Sequence, residues 1–134
     1  MGTALKKILI IEDELIVALD IKYILLRSGS YFPIIIKNNE DLLSFVKDEI
    51  PELIIVSSNI YEKISKEILT IMTRFNPRLI VLSTNFQNDW NQKPDQWFDM
   101  ELISKPFDRD LLINKVEKLF RTIPSPFVNL NTKN

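Results

Sequence analysis

A chain of 134 residues, 46% hydrophobic and 26% charged, is one domain's worth of sequence, with enough apolar matter for a core and enough charge for solubility. Its net charge of −1 lacks the basic excess that binding to nucleic acid or an acidic membrane surface would need. Having neither cysteine nor histidine, it can form no disulfide framework, no thiolate or imidazole metal site, no Ser-His-Asp triad and no phosphohistidine.

The first apolar run, Ile8 to Ile11, is four residues long and closes on Glu12, Asp13 and Glu14, which is neither a signal peptide nor a membrane anchor. With the cysteine-free composition, this reads as a cytoplasmic protein. The run itself is β-branched and bounded by charge, hence a buried strand. A helix is expected over 14–27, with Leu15, Ala18, Leu19, Ile21, Leu25 and Leu26, stopped by Ser28 and Gly29. A second strand covers 32–36, and Pro33 near its start suits an edge. Asn39 is the expected cap of a helix over 40–49, whose Leu42, Leu43 and Val46 share a face. Pro51 ends that region, and 53–56 is a third strand running into Ser57, Ser58 and Asn59.

A single helix is expected over 62–75, with Ile64, Ile68, Leu69, Ile71 and Met72 inward, followed by a fourth strand over 79–82. Residues 85–95, NFQNDWNQKPD, are amide-rich and broken by Pro94, so the fourth helical segment should be irregular. A short fifth strand spans 100–103, and Asp108 can cap a last helix to about Arg121, with Leu111, Leu112, Val116, Leu119 and Phe120 on its apolar face. Residues 1–5 form an N-terminal extension, and 122–134, with Pro124 and Pro126, form a tail or linker.

Alternating apolar strands and amphipathic helices define an α/β domain over 6–121. It is a doubly wound (βα)5 with a five-stranded parallel sheet, for which right-handed crossovers favour the flavodoxin-like order 2-1-3-4-5. Ligands of such sheets bind at the carboxyl ends of the strands. Those ends carry Glu12 and Asp13 after strand 1, Ser57, Ser58 and Asn59 after strand 3, Ser83 and Thr84 after strand 4, and Ser104 and Lys105 after strand 5. Taken singly, each has an ordinary explanation: acids favour a helix N-terminus, serines end strands, and a lysine before Pro-Phe is usually solvated. Their joint occurrence on the right strand ends, in order, argues for a site.

The segments KKILIIEDE, PELIIVSS, RLIVLST and ISKPF resemble the receiver domain of two-component response regulators, the CheY-like fold, over residues 6 to 121. The resemblance implies an Mg²⁺ site at Glu12 and Asp13, completed by the backbone carbonyl of Asn59. It implies an acceptor of the phosphoryl group of a histidine kinase at position 57, and phosphoryl contacts from Ser83 and Lys105. It also implies an aromatic switch residue at position 102. This chain departs from that pattern at three places, one of them the amide-rich segment 85–95, where the family has its fourth helix. Ser57 stands where the acceptor aspartate belongs, and no alignment shift repairs this, since no aspartate occurs between Asp48 and Asp89. Leu102 stands at the switch position.

A carboxylate attacks phosphorus directly, whereas a serine must first lose a proton, and the chain has no histidine to take it. Losing one of three carboxylates also leaves Mg²⁺ binding weak and lets Lys105 pair with Asp13. The expected function is that of a non-enzymatic pseudo-receiver, a phosphorylation-independent docking or dimerisation module. Its partner would be a histidine kinase, an output or regulatory protein, or a second copy. The resemblance also implies a partner surface on the strand-4 to strand-5 side, where Trp90, Trp97 and Phe98 are expected. Two alternatives compete. One is an active receiver modified on Ser57 or Ser58 by another kinase, or stripped of its acceptor by engineering. The other is a small-ligand-binding flavodoxin-like domain. Against the latter, the two glycines, Gly2 and Gly29, make no phosphate loop.

Overall fold

The computed structural model describes residues 5–84 and 100–121. Five strands, β1 (Lys6–Ile11), β2 (Tyr31–Ile35), β3 (Leu53–Ser57), β4 (Arg78–Ser83) and β5 (Met100–Ser104), form one parallel sheet in the order β2-β1-β3-β4-β5. The described helices are α1 (Leu15–Ser28), α2 (Asn39–Asp48), α3 (Ser58–Lys63), α4 (Ser65–Phe75) and α5 (Arg109–Arg121). This is the doubly wound architecture and strand order expected from the sequence. Pro33 sits on β2, an edge strand, opposite Ile8 of β1.

The strands are apolar on both faces because both faces are covered. One side buries Ile8, Ile10, Ile55, Ile80, Leu82 and Ile103 beneath α1 and α5. The other buries Leu9, Ile54, Val56, Leu79 and Val81 beneath α2, α3 and α4. Removing such a side chain from water contributes roughly 1.5–3 kcal/mol, so the two aliphatic layers are the main term holding the strand ends in place.

Helix boundaries follow local chemistry. Gly29 closes α1 in a left-handed conformation at φ 79°, and its N–H donates to the Leu26 carbonyl. The cap of α2 is Asn38, one residue earlier than expected. Its backbone is extended and its side chain accepts from the Asp41 N–H at 2.8 Å, a reach that Asn39, already helical, lacks. The expected single helix over 62–75 is two. The chain turns helical immediately after β3, and Ile64, at φ −120°, breaks the run so that its buried side chain joins Tyr61 and Ile68 in the second core layer. At the start of α5, Asp108 accepts from the Leu111 N–H at 2.7 Å, the expected cap.

Several side chains assigned to apolar faces are exposed: Leu43 on α2, Leu69 on α4 and Leu111 on α5. On α1 the exposed set is larger. Leu15, Ile16, Leu19, Tyr23 and Leu26 all face water, opposite the buried Ala18, Ile21 and Leu25, so α1 is apolar on both sides. The irregular segment 85–95, the aromatic group Trp90, Trp97 and Phe98, and the tail 122–134 lie outside the described residues.

Candidate functional site

Parallel register brings the strand ends level. Ile11 of β1 pairs with Val56 of β3, which sets Glu12 beside Ser57, while Ser57 pairs with Leu82 of β4, and Ser83 with Ser104 of β5. Because side chains alternate along a strand, Glu12, Ser57 and Lys105 continue the rows that point toward α1 and α5 (Ile10, Ile55 and Ile103), whereas Ser83 and Leu102 belong to the opposite rows. Leu102 packs, partly buried, against the layer under α2 and α4.

This parity decides which acid Lys105 meets. Its Nζ lies 2.7 Å from Glu12 Oε1 and 3.2 Å from Glu14 Oε1. The expected partner, Asp13, is not engaged; it points the other way and accepts from the Asn59 side-chain amide at 3.2 Å. Asn59 thus contributes its side chain to the acidic loop. The second oxygen of Glu12, Oε2, accepts from the Glu14 N–H at 2.9 Å, which fixes the turn into α1. The Glu12 carboxylate is fully buried, so this pairing with a largely buried lysine is what permits its charge.

The electrostatics follow from that burial. Desolvation pushes the Glu12 carboxyl above the ordinary carboxylate range, opposed by hydrogen bonds from Lys105 and the Glu14 backbone. Desolvation also works against the Lys105 ammonium, but Glu12 and Glu14 more than offset it and hold the lysine above its usual value. For Asp13, desolvation is outweighed by hydrogen bonds from its own backbone N–H and from Asn59 and by the charge of Lys105, so its carboxyl sits below the usual range.

Ser57 is 1% exposed, and its hydroxyl has no hydrogen-bond partner. Ser58 and Ser83 are also buried, while Thr84 is exposed. Asp13, Glu14, Ser58, Asn59, Ser83 and Lys105 border one shallow hollow at the end of the sheet. Of the residues expected at the site, Asp13, Asn59, Ser83 and Lys105 border this hollow, Glu12 and Ser57 are buried at the strand ends, and Leu102 packs in the layer under α2 and α4. Glu14 is the member that sequence reasoning left out. Its acid-rich neighbourhood made it look like a helix-dipole residue, and only the reach of Lys105 across the sheet end reveals its second role.

The donor set does not fit an octahedral Mg²⁺ ion, which wants hard oxygens at about 2.0–2.1 Å in a fixed arrangement. Glu12 has both oxygens engaged, one oxygen of Asp13 accepts from Asn59, and position 57 offers a neutral hydroxyl. Among the described residues no group of three or more acidic side chains is arranged to hold a metal.

No family model and no curated protein matches the chain. Solved structures do. A response regulator from Thermotoga maritima superimposes with a TM-score of 0.76 at 22% identity, over 89% of this chain and 100% of that one. A response regulator receiver modulated diguanylate cyclase from Pelobacter carbinolicus does so with a TM-score of 0.66 at 27% identity, over 87% and 93%. The PhyR stress response regulator gives 0.67 at 21% identity, over 93% of this chain and 48% of its own length. The chain has the CheY-like receiver fold of response regulators.

Proposed function

We propose that this chain is a signalling receiver of the two-component type that no longer takes up a phosphoryl group and acts, without catalysis, as a protein-interaction module. The observation that carries this reading is the state of position 57. At the end of β3, level with Glu12 and within the row that Lys105 shares, stands a buried, neutral hydroxyl. Direct attack on phosphorus needs an ionised nucleophile or a base to make one. The nearby carboxylates are weak bases, and the one on the same row, Glu12, is paired with Lys105. Loss of a carboxylate from the loop also weakens Mg²⁺ binding, leaving Glu12, Asp13 and the Asn59 carbonyl as an incomplete donor set.

Modification of Ser57 or Ser58 by a separate kinase is the competing reading. It is disfavoured by access, since both side chains are buried and a kinase must bring a hydroxyl into its own active site. An interaction role is favoured by α1, whose outer side presents Leu15, Ile16 and Tyr23 to water; exposed apolar surface of this kind marks contact with another protein. A histidine kinase, an output or regulatory protein, or a second copy would each supply such a surface. No described helix is long and apolar enough to cross a membrane, and a cytoplasmic place suits the cysteine-free chain.

Incubation with a small-molecule phosphodonor and Mg²⁺, followed by intact-mass measurement, should leave the mass unchanged. A phosphoryl adduct, acid-stable on Ser57 or Ser58 or labile on any carboxylate, overturns the reading.

A further inference from the structure

The site has one feature that loss of the acceptor does not by itself require: its lysine is already occupied. Lys105 reaches from the end of β5, past the ends of β4 and β3, to two glutamates that flank the turn after β1. Asn59 ties the start of α3 to Asp13 in the same turn. We infer that Lys105 is a tethered cation that takes the place of a divalent ion in this acidic pocket, excluding Mg²⁺ and latching the β5 end to the β1–α1 turn in one fixed arrangement. The inference rests on the reading of position 57 as a lost acceptor.

The physical case is one of competition at a single oxygen. The ammonium stands 2.7 Å from Glu12 Oε1, so a divalent ion bound to that carboxylate would lie within a few ångströms of a second positive charge that cannot leave, being on the protein itself. Glu12 cannot turn its other oxygen outward, because Oε2 holds the Glu14 N–H. An aspartate at position 57 would share the row of Glu12 and Lys105 and compete for the ammonium. The serine hydroxyl does not, and the lysine settles on Glu12 and Glu14. Among the described residues of this pocket, Glu12 and Glu14 hold the one ammonium, and Asp13 borders the same hollow with its carboxylate on the Asn59 amide. Removing it leaves a strongly negative pocket, the condition that attracts a divalent cation.

The test uses the intact chain and Mn²⁺ or Mg²⁺ as the probe. Wild type should show no saturable broadening of the Asp13 and Asn59 amide signals by Mn²⁺ in the low millimolar range, and Lys105→Met should bind Mn²⁺ about tenfold or more tightly. Saturable binding by wild type, or equal affinity in the two proteins, overturns the inference. Should Lys105→Met fail to fold, wild type decides alone. A slowly exchanging Lys105 ammonium resonance, unchanged by excess MgCl₂, supports the latch; a solvent-averaged ammonium, or one displaced by MgCl₂, sinks it. Mg²⁺ binding without phosphoryl uptake would defeat the latch and leave the proposed function standing. Phosphoryl uptake would defeat that function whatever the lysine does.

Discussion

At the scale of the residue, Ser57 shows what a sequence can state outright. Its identity and place at the end of an apolar run are legible in the chain itself, and on the proposed reading they leave the site without an acceptor. What it touches is not legible. The hydroxyl is buried without a partner, and the lysine expected to pair with Asp13 pairs with Glu12 and Glu14, because alternation along β1 and β5 puts Glu12 and Lys105 on the same side of the sheet. If the scaffold still suits an acceptor, Ser57→Asp should restore a labile, Mg²⁺-dependent phosphoryl adduct, read as a mass gain lost in alkali. It should also lower stability at neutral pH by about 1–3 kcal/mol, because a fourth carboxylate joins Glu12, Asp13 and Glu14 around one ammonium. Ser57→Asn has nearly the same shape and no charge. Equal destabilisation of the two variants in urea unfolding would show the cost to be steric and refute the electrostatic account.

At the scale of the element, strands were easier to read than helices, for a physical reason. A strand buried on both faces is a continuous apolar run, and β1 to β4 appear where such runs stand, while β5, only partly buried, carries Glu101 among its apolar residues. A helix boundary depends on one or two hydrogen bonds, which neighbouring residues compete to supply. Asn38 and Asn39 are chemically identical, and only the extended backbone of Asn38 aims its side chain at the Asp41 N–H. Asn38→Ala should therefore cost about 1 kcal/mol and Asn39→Ala much less; the reverse order in chemical denaturation would return the cap to Asn39. The break at Ile64 was illegible because the apolar positions around it fit one long helix as well as two, and burial of Ile64 is a tertiary fact. Gly29 was legible as a stop. At φ 79° a methyl group would meet no atom within 4 Å, so Gly29→Ala should cost only the left-handed backbone penalty, about 1 kcal/mol.

For the whole molecule, order 2-1-3-4-5 was inferred from connection rules, and it is what gathers four strand ends into one site. The same global view shows how charge ties the molecule together away from the site. Glu101 of β5 accepts from Lys115 at 2.9 Å and contacts Lys118 at 3.0 Å, both on α5. Burial works against its charge, but the two lysines outweigh it and hold the carboxyl below its usual value of 4.5. A carboxylate lowered in the folded state contributes stability that is present above the unfolded value and is lost as pH falls through the folded one. Glu101→Gln should therefore lower stability by about 1 kcal/mol at pH 7, discounted for the exposed Lys118. The gap to wild type should close as pH falls below 4.5. Glu12 has the opposite sign. Its carboxyl is raised by burial, so its contribution is largest when it is protonated and declines as pH rises through its folded value, where Lys105 offsets the loss. In an acid titration of thermal stability both deficits should shrink toward low pH, that of Glu101→Gln because wild-type Glu101 loses its charge and that of Lys105→Met because protonated Glu12 no longer needs the ammonium. A Lys105→Met deficit that persists undiminished below the point where Glu12 takes its proton would mean that Lys105 stabilises the fold by packing, not by neutralising a buried carboxylate.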